Sequence, residues 1–159
     1  SRRGYQVIAD DLTVVDCKDS DHLLIHPGVP FLKLWKDVLD HFKLDEDLQV
    51  IRSDIEKYIK PTDSSISLDP IELERIVLLQ KKNSPGFSSI EIKGFRKYNV
   101  LMNNSFRIHY LDDQRLIEDY FNSISKLANG TRIFIIERAE SPLQITEFTN
   151  FVIENIFEA

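Results

Sequence analysis

One cysteine, one methionine and one tryptophan occur in 159 residues, with five glycines and six prolines. A single thiol, Cys17, excludes an internal disulfide framework. Its neighbours Asp16 and Asp19 oppose thiolate formation, so Cys17 reads as inert rather than nucleophilic. No apolar run reaches bilayer length and no charged-then-apolar leader is seen in these residues, so no membrane partner is expected and the cytoplasm is the expected compartment. Positive charge is also scarce, with 20 Lys and Arg against 26 Asp and Glu and a formal net charge of −6. Neutralising a phosphate backbone needs clustered Lys and Arg, so nucleic acid is not an expected partner. The short basic stretch from Lys93 to Lys97 reads as a solvated turn.

What is plentiful is apolar surface. Hydrophobic residues make up 42% of the chain, ten of them Phe, which suffices for a sizeable core at the common domain length. One α/β domain over residues 1–159, a layered sheet with flanking helices, is the expected architecture. Residues 5–9 and 13–15 read as strands. Phe31, Leu34, Trp35, Val38, Leu39 and Phe42 recur at helical spacing behind Pro30, and Leu48, Ile51, Ile55 and Ile59 are helix-compatible. Pro61 and the polar residues 62–65 mark a loop. Residues 76–79 form an apolar run expected as a buried strand, with residues 88–92 as its hairpin partner across Asn83-Ser84-Pro85-Gly86. Asp112-Asp113 can cap a helix whose apolar stripe runs from Leu116 to Ala128 and stops at Gly130. Residues 131–136 then read as a buried strand, and Ser141-Pro142 as a turn or helix start before Phe148, Phe151, Val152 and Ile156.

Adjacent carboxylates at Asp10 and Asp11 close the first of these apolar runs. Hard oxygen ligands at a strand end suit a divalent cation or a catalytic base; alternatively they simply end an edge strand and enter a turn. Strand side chains alternate, so only one of the two faces a ligand unless the chain has already turned there.

The opening residues 1–16, in which Gly4 is followed by Tyr5-Gln6-Val7-Ile8-Ala9-Asp10-Asp11, resemble the segment just after the phosphate-binding loop in HPr kinase/phosphorylase-like serine kinases, where a helix ends at Gly and a strand delivers Ala-Asp-Asp or Ser-Asp-Asp. His26-Pro27-Gly28-Val29-Pro30-Phe31-Leu32-Lys33-Leu34-Trp35 is similar to the Pro-Gly-x-Pro-x-x-x-Leu-Trp stretch of their divergent members. Residues 70–79 resemble their Pro-Leu-x-x-Ile-x-x-Leu strand, and residues 101–107 a helix ending in a small polar group and Arg. The resemblance implies a doubly wound, P-loop kinase core, of which this chain is the C-terminal part, with assembly into homo-oligomers. It also implies Mg²⁺-dependent phosphoryl transfer from ATP to a serine hydroxyl of a protein or small-molecule substrate. Asp10 is then the base and Asp11 the magnesium ligand, with the roles exchangeable, and Arg107 a phosphate-binding residue for the cofactor. Glu91-Ile92-Lys93-Gly94-Phe95 only echoes the signature Glu-x-Arg-Gly, and Lys in place of Arg sets HPr itself aside as the expected substrate.

One departure stands against these matches. None of the glycines precedes Lys-Ser or Lys-Thr, so the Gly-x-x-x-x-Gly-Lys-Ser/Thr loop is not among these residues. The chain also starts without Met where the loop helix would end, so a piece whose loop lies upstream is expected, with a loopless regulatory or binding module as the alternative. A metal-dependent phosphohydrolase ranks last, for want of further carboxylates or histidines around the pair. His22 and His26 flank a Leu-Leu-Ile run rather than sharing a helix face, which disfavours zinc. Trp35 reads as a core anchor, and Arg107, taken alone, as a surface ion-pair partner.

Overall fold

A computed structural model describes residues 4–19, 22–44, 48–52, 54–62, 69–140 and 144–157. Among them the chain is mixed α/β, with three small sheets and four α-helices. It is organised as two compact units, Ser1–Asp16 with Leu24–Ile71, and Cys17–Leu23 with Glu72–Ala159.

The first unit is built from short antiparallel strands. β1 (Val14–Asp16) pairs with β2 (Leu24–His26), so that Val15 lies opposite Ile25. β3 (Phe31–Trp35) runs directly into α1 (Lys36–Phe42). β4 (Gln49–Arg52) and β5 (Ile55–Pro61) form a hairpin closed by an ion pair between Arg52 and Asp54, and β5 lies between β3 and β4. Both regions were expected to be helical. Phe31, Leu34 and Trp35 fit a 3–4 spacing, yet Phe31–Trp35 is extended because each of its residues has a partner on β5, from Phe31 opposite Pro61 to Trp35 opposite Lys57. Residues 5–9, expected as a strand, form no ladder; the segment is fixed instead by the Gly28 N–H donating to the Ile8 carbonyl at 2.7 Å.

The chain enters the second unit at β6 (Ile71–Glu72). The core of the second unit is a sheet of β7 (Arg75–Lys82), β9 (Arg132–Ala139) and β8 (Phe87–Ile92), in that order. β9 is parallel to β7 and antiparallel to β8. Residues 88–92 are therefore a strand as expected, but not the hairpin partner of β7, since β9 inserts between them. Alternation along β9 supplies both faces. Ile133 and Ile135 pack with Ile124 and Ala128 of α3 (Gln114–Gly130) and Leu101 of α2 (Phe95–Asn103). Phe134 and Ile136 pack with Ile156 and with Phe148 and Phe151 of α4 (Ile145–Val152). The four central residues of β9 are at most 5% exposed, which explains their unbroken apolar sequence.

α3 starts where expected. Asp113 is its N-cap and accepts from the N–H groups of Arg115 and Leu116. At the other end Lys97 Nζ donates to the carbonyls of Ala128 and Thr131, at 2.8 and 2.6 Å, placing a cation where the helix carbonyls need one. Lys97 is thus a helix-capping residue rather than part of a solvated turn. The expected turn at Ser141-Pro142 and the loop positions 63–65 lie outside the described residues.

Candidate active site

Asp10 and Asp11 sit in a bend of the first unit rather than at the end of a straight strand. The bend removes the alternation constraint, and both carboxylates reach the same residue, Lys33 of β3. Among the described residues β3 is the outer strand of its sheet, with β5 on one side only, so an N–H on its other side needs a partner. Asp10 provides it: Oδ2 accepts the main-chain N–H of Lys33 at 3.0 Å. Asp11 Oδ2 accepts the Lys33 ammonium at 2.6 Å. Asp10 is half-buried and Asp11 exposed. The hydrogen bond from Lys33, helped by its charge and by that of Lys57, holds the Asp11 carboxyl below the usual carboxylate range. The Lys33 ammonium is correspondingly raised, chiefly by its bond to Asp11.

The Asp-bearing segment packs closely on Gly28, where a Cβ would lie 3.4 Å from both Cα and Cβ of Ala9, at van der Waals contact. A turn at Pro30, with the Phe31 N–H on the Val29 carbonyl at 2.8 Å, then delivers Lys33 to the two carboxylates.

Arg107 belongs to the second unit. It follows α2 in the left-handed conformation, with φ of 54°, and its guanidinium lies 4.8 Å from the Phe106 ring and 5.8 Å from that of Tyr110. Among the described residues it has no carboxylate partner, so the surface ion pair expected for a lone Arg is not formed. His22 meets Glu72 at 3.9 Å and His26 meets Asp16 at 3.8 Å, each on its own carboxylate. Among the described residues no cluster of three or more His, Cys, Asp or Glu side chains is placed to hold a metal. Trp35 is 53% exposed, with Lys57 Nζ 5.3 Å from its ring centre. It is not a core anchor, because it stands at the β3–α1 junction outside both clusters of the core.

Lys33 is the residue that sequence reasoning missed. A helix starting at Pro30 turns Lys33 to solvent, whereas the alternation Phe31, Lys33, Trp35 against Leu32, Leu34 is the strand signal that would have found it. No helix among the described residues is long and apolar enough to cross a membrane. No family model matches the chain, and neither a curated protein nor a solved structure does.

Proposed function

We propose that the chain is the carboxylate-bearing, C-terminal part of an HPr kinase-like domain, an ATP-dependent kinase acting on a serine hydroxyl of a protein or small-molecule substrate. The observation that carries this reading is the convergence of Asp10 and Asp11 on Lys33, which keeps two adjacent carboxylates oriented in a bend. Two carboxylates alone are not a metal-holding cluster, and the reading needs magnesium to take one or two carboxylates here and keep water and phosphate oxygens as its other ligands. Asp11 would hold the ion or its water shell, and the ion would supply charge neutralisation on the transferring phosphates. Asp10 would accept the proton of the attacking serine: Oδ2 is occupied by the Lys33 N–H, and Oδ1 has no partner among the described residues. The two roles are exchangeable. The proposal for Arg107 as a phosphate-binding residue is separate and rests on a guanidinium that has aromatic neighbours but no carboxylate partner among the described residues.

The phosphate-binding loop is not among these 159 residues, so the reading requires it from sequence outside them. Calorimetric titration of Mg·ATP into this chain, beside a version extended upstream through any encoded loop, tests it. Binding by the extended protein alone is expected. Absence of binding in both would overturn the kinase reading in favour of a regulatory or binding module. The contact that favours this second reading is the Lys33–Asp11 pair, which already neutralises one carboxylate without a metal.

A further inference from the structure

We infer that the second unit binds a small-molecule oxyanion, a phosphate or carboxylate group, in the crevice at the carboxyl ends of β7 and β9, with Lys82 as its anchor. The inference is independent of the kinase reading and of Asp10 and Asp11, which belong to the first unit. β7 and β9 are adjacent and parallel, and the chain leaving them ends on opposite faces of the sheet. After β7 it returns through β8 to α2 and α3, which cover Ile133 and Ile135; after β9 it runs to α4, which packs with Phe134 and Ile136. Parallel neighbours whose continuations diverge in this way leave a crevice at their carboxyl ends, where open α/β sheets take their ligands. The crevice is present here: Lys82 to Pro85 at the end of β7, with Ala139 and Glu140 at the end of β9, line about 370 Å³.

The chemistry of the wall selects an anion. The half-buried Lys82 ammonium donates to the neutral Ser88 hydroxyl at 3.2 Å, and among the described residues it has no carboxylate partner. Ser88 passes its own proton to Glu137 at 2.8 Å, so its oxygen is left to accept from Lys82 and to orient the ammonium. An ammonium has three donors and Ser88 takes one of them. Glu140 is the one carboxylate on the wall, and Lys81 already pairs with it at 2.9 Å. Asn83 and Ser84 add an amide and a hydroxyl. A cation would meet Lys82, and an apolar ligand would find only Pro85 and Ala139, whereas an oxyanion meets the spare ammonium donors.

Inorganic phosphate and acetate are the probes, each titrated into the 159-residue chain at an ionic strength held constant with chloride and followed by amide chemical shifts. Saturable shifts centred on Asn83, Ser84, Gly86, Ala139 and Glu140 are expected, with dissociation constants of about 1–10 mM, the scale of one charged contact at an open site. Tighter phosphate assigns a phosphate ester, tighter acetate a carboxylic acid. Lys82→Met is expected to weaken binding about tenfold, and Lys82→Arg to retain it. Glu140→Gln, which removes the wall carboxylate, is expected to tighten binding about threefold. Glu140 is exposed, so this second variant reads the charge of the crevice even where Lys82→Met fails to fold. No saturable shift with either ion, shifts centred elsewhere on the chain, or unchanged affinity in a folded Lys82→Met would each overturn the inference. Unchanged or weaker binding by Glu140→Gln would overturn it as well.

Discussion

Charge at a single residue decides what each candidate side chain is able to do. One oxygen of Asp10 accepts the Lys33 N–H, a bond that an amide oxygen at the same position can also accept, so in the proposed reading the other oxygen would take the substrate proton. Asp10→Asn, made in the upstream-extended protein, is therefore expected to leave the fold intact and to lower phosphoryl transfer by about 10²–10⁴-fold, the usual size of a general-base contribution. A near-normal rate in the folded variant would remove Asp10 from the chemistry. Arg107 raises a different question, since a left-handed conformation is costly for any residue with a Cβ. Arg107→Gly relieves that strain but loses the contacts with Phe106 and Tyr110, so the two effects offset each other. A urea titration is expected to place the variant within about 1 kcal/mol of the parent. A loss well beyond that would make Arg107 a structural anchor rather than a residue left free for a ligand.

Elements with strong local signals were legible in the sequence, and those fixed by distant partners were not. The stripe from Leu116 to Ala128 and the Asp113 cap define the start and body of α3 locally, whereas its end, at Gly130 as expected, also takes the Lys97 ammonium from α2 on the Ala128 and Thr131 carbonyls. The cap makes a checkable claim: Asp113→Ala orphans the N–H groups of Arg115 and Leu116, and is expected to cost about 1 kcal/mol, or about 2–4 °C in melting temperature. An unchanged melting temperature would show that water satisfies those groups equally well. β9 was legible because burial on both faces demands a continuous apolar run. β3 and β5 were not, because residues at positions 31, 34 and 35, or 51, 55 and 59, satisfy a helix and a strand equally; the pairing of Lys33 with Ile59 and Leu34 with Tyr58 decides between them. The candidate site shows the same division. Asp10 and Asp11 stood out as adjacent carboxylates, but Lys33 is separated from them by 22 or more positions and only the bend and the free edge of β3 bring them together.

Across the whole molecule, exposed ion pairs and the buried core make separable contributions. Asp11, Asp54, Glu91 and Glu140 each have a carboxyl held below its ordinary range by a hydrogen bond from Lys33, Arg52, Arg132 and Lys81 respectively. A depressed carboxylate stabilises the fold above its unfolded value, and the contribution is lost as pH falls through its folded value. The raised Lys33, Lys36, Arg52 and Arg132 stabilise below their unfolded values and lose that contribution only in alkali. These pairs are therefore expected to hold the urea midpoint level around neutrality and to lower it below about pH 4, by a small amount that about 0.5 M salt reduces further. A midpoint that rises on acidification would contradict that assignment. The core is distributed unevenly between the units. Among the described residues Leu39 is the one buried apolar side chain of the first unit, whereas Ile92, Leu101, Ile124, Ile133, Phe134, Ile135, Ile136 and Ile156 are buried in the second. Strands with few buried neighbours open locally, while a strand covered on both faces opens only with the unit as a whole. Amide hydrogen exchange should therefore find the β9 amides slower than those of β3 and β5 by at least about a hundredfold. Equal protection in the two sets would mean that the first unit opens only with the whole chain. Faster exchange in β3 would instead place the bend that carries Asp10 and Asp11, tied to it through the Lys33 N–H, in a part of the molecule that opens without the core of the second unit.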